Sequence, residues 1–155
     1  MKYLYKTTDK FNVENLVILA QYLLALPDDY DAFDMNSYMA QPDSVLLTQP
    51  QIISENCGAV ACAIGHGPAA GILPLPGARF SWEKYCNRVF IDGWAWQPQW
   101  EWCFSAAWTN IDNTPAGAGR RILYMLNHGS PYRFHHRDPA TWLQTVAIYN
   151  AVELD

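Results

Sequence analysis

Charged side chains are scarce in this sequence. They make up 16% of the 155 residues, against ~25% in an ordinary globular chain, and the net charge is −5. An acidic balance of this kind excludes general nucleic-acid binding, which needs a basic face to neutralise phosphates. Residues 1–78 carry only Lys2, Lys6 and Lys10 as basic groups, and Arg79, Arg88, Arg120, Arg121, Arg133 and Arg137 all come later, so a local anion site is expected only in the second half. Long hydrophobic runs are also missing. The longest near the start, Leu16 to Leu26, is interrupted by Gln21 and falls short of the ~20 residues that span a bilayer. Met1-Lys2-Tyr3-Leu4-Tyr5 runs straight into polar residues without the pattern of a signal peptide, and no membrane association is expected. The four cysteines, Cys57, Cys62, Cys86 and Cys103, sit inside apolar runs. They are too few for a secreted disulfide framework, and read as reduced thiols of a cytoplasmic protein.

Apolar and aromatic residues are abundant instead. Half of the chain is hydrophobic, and seven Trp and nine Tyr help to bring the aromatic share to 14%. The length suits one globular domain, residues 1–155, burying ~70% of its unfolded surface. So much apolar material leaves some for the surface, where a ligand pocket, a protein partner or self-association into a homo-oligomer would use it.

Taken in order, residues 1–12 read as an irregular lead-in. Val13 to Leu26 reads as a helix, with Asn12 as cap, Glu14 in the first turn and Pro27 as stop. Its apolar stripe of Leu16, Ala20, Leu23 and Leu24 is widened by Val17, Ile18 and Leu19, which predicts a largely covered helix. Asp28, Asp29, Asp31 and Asp34 lack the ligand spacing and central glycine of a calcium loop, and read as a solvated loop. In the weakly periodic stretch that follows, Val45-Leu46-Leu47 is the one strand-like fragment. A small-residue helix is expected from Cys57 to His66, then a Pro/Gly loop, then a helix from Ser81 to about Phe90. Pro98 to Thr109 aligns Trp100, Phe104 and Trp108 at helical spacing. Thr114-Pro115 opens a further helix that Gly129 closes, and Asp138-Pro139 opens a last one in which Trp142, Val146 and Tyr149 share a face. The expected fold is mainly α, about six helices around the small-residue central one, with little or no sheet.

Three groups carry candidate chemistry. Cys62 and His66 are spaced i, i+4, but Cys57 falls about 140° round a helix from Cys62, and no paired zinc-ribbon spacing exists; neither metal nor cofactor is expected. A cysteine at a helix start, as Cys57 is, has its thiolate stabilised by the helix amides. Trp94, Trp96, Trp100, Trp102 and Trp108 fall within fifteen residues, either as a core wall or as a stacking surface for a planar ligand. Thr114 to Arg121 sets Gly117, Gly119, Arg120 and Arg121 at a helix N-terminus, an arrangement that suits phosphate, while close packing against another helix also explains the glycines.

The words Gln51-Ile52-Ile53-Ser54-Glu55-Asn56-Cys57-Gly58-Ala59 resemble the start of papain-like cysteine peptidases, particularly the bacteriocin-leader-processing group. The resemblance implies Cys57 as nucleophile, Gln51 in the oxyanion hole, His128, His135 or His136 as base, and Asp138 or Asn150 as its orienter. Phe33-Asp34-Met35-Asn36, followed by Asn56-Cys57-Gly58-Ala59-Val60-Ala61-Cys62-Ala63-Ile64-Gly65-His66, resembles a family of small uncharacterised proteins from tailed phages and bacteria. Trp102, Phe104-Ser105, Trp108 and Leu126-Asn127-His128-Gly129 extend that second resemblance, which implies a phage or mobile-element setting and no established activity. In that setting the leading expectation is a non-enzymatic binder that sequesters a nucleotide-like host defence signal. Cys57 and His66 would form its pocket floor, Trp96, Trp100 and Trp108 its stacking wall, and Arg120 and Arg121 its phosphate contacts. A cysteine hydrolase using Cys57, Gln51 and His128, and an inhibitor or adaptor binding a host protein through an aromatic surface, are the alternatives.

Overall fold

The computed structural model describes residues 3–7, 11–35, 62–73, 82–91, 97–131, 147 and 149–152. Its fold is mainly α. In chain order the elements are α1 (Val13–Ala25), α2 (Trp82–Val89), α3 (Pro98–Phe104), a 3-10 helix (Ala106–Asn110) and α4 (Pro115–His128), with residues 149–151 also helical. Among the described residues, strand pairing is limited to an isolated bridge between Phe11 and Ile91, and no helix is long and apolar enough to cross a membrane.

The helix boundaries follow from local chemistry. Asn12 caps α1 by accepting a hydrogen bond from the Asn15 amide at 3.1 Å, and the chain turns extended at Leu26, ahead of Pro27. Thr114 caps α4 by accepting from the Gly117 amide at 3.0 Å, with Pro115 at the first helical position, where its missing N–H costs nothing. At the other end Gly129 takes a φ of +83° and its amide closes onto the Met125 carbonyl at 2.8 Å. An L side chain rarely adopts that conformation.

α1 and α4 form the centre of the core. Leu16, Leu19, Ala20 and Leu23 from α1 meet Ala118, Ile122, Met125 and Leu126 from α4, all without exposed surface. Gly119, early in α4, abuts Ala20 and Leu24 late in α1. Gly129, past the end of α4, lies against Leu4 and Tyr5, and Tyr5 stacks on Phe11, just before α1, at 4.7 Å. The two helices therefore run antiparallel. The irregular lead-in is held on this pair, with the Leu4 amide donating to the Leu126 carbonyl at 2.7 Å. α2 joins through the Asn12 amide, which donates to the Phe90 carbonyl at 2.9 Å, and through Tyr85, Cys86, Phe90 and Ile91, all buried.

Three details differ from the sequence expectations. The described part of the expected central helix, from Cys62 onward, is a chain of turns up to Gly71. Its hydrogen bonds alternate in span, from the His66 amide to the Cys62 carbonyl, Gly67 to Ile64, Ala70 to His66 and Ile72 to Gly67, because Gly65, Gly67 and Pro68 interrupt a regular ladder. The expected Pro98–Thr109 helix breaks at Ser105, whose ψ of 137° is extended. There the Ser105 hydroxyl accepts from the Ala107 amide at 3.1 Å and restarts the chain as a 3-10 helix. Third, α1 is not covered all round: Ile18 is 43% exposed and Leu24 39%.

Gly119 explains itself by packing. A Cβ there would lie 2.8 Å from Leu24 Cγ and 2.9 Å from the Ala20 carbonyl oxygen, and a backbone oxygen cannot swing aside. Gly119→Ala is expected to lower stability by about 1–2 kcal/mol, because separating the helices outweighs the ~1 kcal/mol that alanine gains in helix propensity. Urea unfolding of the two proteins measures the difference.

Candidate functional site

The described residues hold two polar clusters, joined by residues 33–35. The first surrounds His66. Its imidazole is almost wholly buried and its Nε2 lies 3.0 Å from the Ala32 carbonyl oxygen. Phe33 stacks on the ring at 5.8 Å and 10°, Tyr30 meets it edge-on at 5.7 Å, and Tyr22 is 6.2 Å away. This is an aromatic box that fixes the ring. Cys62 is buried nearby, and burial above all pushes its thiol up to about 11, with the Asp34 charge adding to the effect. Phe33 and the segment from Cys62 to His66 thus lie side by side.

Asn113 then connects this cluster to the second. Its side-chain oxygen accepts from the Met35 amide at 2.8 Å, and its amide nitrogen donates to Asp34 at 3.3 Å. The next residue back is Asp112, which organises the N-terminus of α4. Its carboxylate accepts from the Thr114 hydroxyl at 2.6 Å and from the Tyr149 hydroxyl at 2.5 Å, and pairs with Arg121 Nη1 at 3.5 Å. Arg121 Nη1 also donates to the Asp112 carbonyl at 3.3 Å. The same carboxylate fills the space that a side chain at Gly117 would need.

The N-terminal anion position of α4 is therefore taken by the chain's own carboxylate. Burial works to raise the Asp112 pKa. The hydrogen bonds from Thr114 and Tyr149, with the charges of Arg121 and Arg120, outweigh it and hold the carboxyl below its ordinary 3.8. Arg121 has no exposed surface. Burial draws its pKa down to about 10 against the opposing pull of Asp112, so it remains a cation at neutral pH. Its guanidinium lies 4.3 Å from the centre of the Trp108 ring, which supplies a cation–π contact in place of water. Among the described residues, its Nε and Nη2 have no hydrogen-bond partner.

Trp108 belongs to an internal wall. Its indole N–H donates to the Trp102 carbonyl at 2.7 Å, the Trp102 indole donates to the Arg121 carbonyl at 3.0 Å, and the two rings meet edge-to-face at 5.3 Å. Trp100 is buried separately against Phe104 at 4.7 Å. Tyr149 closes over Trp108 at 4.8 Å.

Of the residues singled out from sequence, the structure brings Trp108 and Arg121 together and leaves Arg120 half-buried beside them. Trp100 and His66 are elsewhere in the core. Trp100 and Trp108 keep both indole faces inside, where they hold up the core. His128 is exposed at the end of α4 with its ring on Tyr124 at 4.6 Å, and Asn150 is exposed. Gln51, Cys57, Trp96, His135, His136 and Asp138 lie outside the described residues. Asp112 and Tyr149 were not among the expected site residues. Asp112 stands two residues before a cap and could have been read as a helix-start carboxylate, whereas nothing near Tyr149 in sequence signals its partner.

Among the described residues, no group of three or more His, Cys, Asp or Glu side chains converges to hold a metal. No family model, curated protein or solved structure matches the chain.

Two outcomes follow from this geometry. Cys62, Cys86 and Cys103 are buried, and burial raises the pKa of Cys62 and Cys103. At pH 7.5 these three are expected to resist iodoacetamide in the folded protein and to react after denaturation, with tryptic mass spectrometry identifying each site. Asp112→Asn is expected to cost about 3 kcal/mol at neutral pH by leaving a buried cation unpaired. Because the folded carboxyl titrates below 3.8, the benefit of its charge is complete above that value and fades as pH falls through the folded pKa. Thermal melts of wild type and Asp112→Asn should draw closer as pH falls below 3.8 and through the folded pKa.

Proposed function

We propose that the protein is a non-enzymatic binding protein that works by contact with a partner protein across the outer face of α1. The observation that carries this reading is the large apolar side chain of Ile18, 43% exposed on that helix. Glu14, Ile18, Gln21, Leu24 and Ala25 are exposed, with Val17 and Tyr22 half-buried at its margins. A surface helix ordinarily turns charged residues outward; α1 has Glu14 as its one charged residue. Apolar area left at the surface of so weakly charged a helix is available for contact with a partner.

The interior weighs against the other readings. Sequestration of a nucleotide-like signal needs an open stacking face and an unmatched phosphate contact, whereas Trp100 and Trp108 are enclosed and Arg121 faces Asp112. The cysteine-hydrolase alternative turns on Cys57 and Gln51, which lie outside the described residues; of the described thiols, burial keeps Cys62 and Cys103 protonated at neutral pH, so neither supplies a second nucleophile.

Photo-cross-linking tests the reading. Benzoylphenylalanine replaces Ile18 in one protein and the exposed Ala106 of the 3-10 helix in another, and each is irradiated in an extract of its source cells. A protein adduct formed from position 18, absent from position 106, and suppressed by excess wild type but not by excess Ile18→Asp, is the expected result. Equal adducts at both positions, or none at either, overturn it.

A further inference from the structure

We propose that residues 27–35 form a lid over Cys62 and His66, latched at its far end by Asn113, and that the C-terminal turn carrying Tyr149 sets how firmly the latch holds.

The lid leaves α1 at Leu26, where the backbone turns extended, and its residues sort by face. Pro27, Asp28, Asp29 and Asp31 are exposed, whereas Ala32, Phe33 and Met35 are buried and Tyr30 is half-buried. The buried side rests on one place. Phe33 stacks on the His66 ring and Tyr30 meets its edge, the Ala32 carbonyl oxygen lies 3.0 Å from the His66 Nε2, and Cys62 is buried in the same cluster. That thiol and that imidazole are the reactive side chains of residues 62–73, so the lid encloses chemistry that the closed protein does not present.

Asn113 grips the end of the lid farthest from α1. It accepts from the Met35 amide and donates to the Asp34 carboxylate. Its own position is fixed from either side, by Thr114 as the cap of α4 and by Asp112, which receives the Thr114 and Tyr149 hydroxyls and faces Arg121. Tyr149 comes from the other end of the chain. Ala147, Asn150 and Ala151 around it are exposed, and Tyr149 and Val152 reach the core from this turn. A hydrogen-bonded path thus runs from Tyr149 through Asp112 and Asn113 to Asp34 and Met35, and the docked and undocked lid are the two states that it biases. Such a coupling is reciprocal, so whatever lifts the lid also loosens Tyr149. Local opening of this kind needs less free energy than unfolding the α1–α4 pair.

The experiment uses the full chain and reads thiol alkylation by iodoacetamide at each cysteine, with tandem mass spectrometry locating the adducts. At rates proportional to reagent concentration the opening equilibrium is what is measured. Cys62 reports the lid, and Cys86, fully enclosed on α2, reports global unfolding. Asn113→Ala should raise the Cys62 rate relative to Cys86 by about tenfold or more, the factor for two lost hydrogen bonds. Asn113→Asp, which sets a second carboxylate against Asp34, should act in the same direction. Tyr149→Phe keeps the ring on Trp108 and loses the hydroxyl, and should raise the same ratio by about two- to tenfold. Gly119→Ala should speed both thiols alike. The double variant Asn113→Ala with Tyr149→Phe should match Asn113→Ala alone, because Tyr149 acts through Asn113.

Equal acceleration of Cys62 and Cys86 in both Asn113 variants, or no acceleration of Cys62 in either, overturns the lid. If the lid opens in those proteins but Tyr149→Phe leaves the ratio at its wild-type value, or if the ratio of the double variant is the product of the two single effects, control by the C-terminal turn is overturned.

Discussion

A guanidinium with no exposed surface dominates the chemistry of the second half of this chain. Moving an ion out of water costs several kcal/mol even after relaxation, so Arg121 constrains everything it touches. Asp112 must be ionised and close, and Thr114 and Tyr149 hold the carboxylate in place. Trp108 must present a ring face, and Trp102 fixes Trp108 through its carbonyl. The break at Ser105 belongs to the same arrangement. A continuous helix from Pro98 would stack Trp108 above Phe104 and Trp100, whereas the extended Ser105 lets the 3-10 helix set Trp108 edge-to-face with Trp102.

Seen this way, the residues that resemble a phosphate cradle have an internal use. Gly117 lacks a side chain because a carboxylate lies against its Cα, and Gly119 lacks one because α1 does. Both glycines cost helix propensity, and two separate contacts account for them. The helix N-terminus and the arginine do receive an oxyanion; it is covalently part of the protein. Such a closed arrangement has structural consequences rather than ligand-binding ones. It fixes residues 112–114 to the start of α4, and through Asn113 it fixes residues 34–35, which bring Phe33 onto His66.

How legible this was depended on the range of the interaction involved. Caps are local, so Asn12, Thr114-Pro115 and Gly129 set the ends of α1 and α4 where their spacing indicates. The mainly α class follows from long 3.6-residue periodicity. Side-chain partners distant in sequence leave no such trace. Nothing local says that Tyr149 reaches Asp112, or that the aromatic run from Pro98 faces inward; abundance of tryptophan is equally consistent with a wall and a platform until burial is known. The turns from Cys62 to His66, where a helix is expected, have a related reason. Small residues suit a tightly packed helix, but glycine and proline at 65, 67 and 68 forfeit the regular ladder, and the local backbone cost prevailed over the packing advantage.

α1 shows most directly how an interior and a surface share one sequence pattern. Leu16 through Leu24 is apolar almost all round, a pattern that ordinarily belongs to a helix enclosed by neighbours. Its enclosed side buries Leu16, Ala20 and Leu23 completely, with Gly119 of α4 in close approach to Ala20 and Leu24. Val17 and Tyr22 pack at its margins, and Ile18 stands exposed outside the core. Folding does not require Ile18 to be isoleucine, since a charged residue there would expose no additional core. Its apolar character is therefore the feature on which the proposed contact rests.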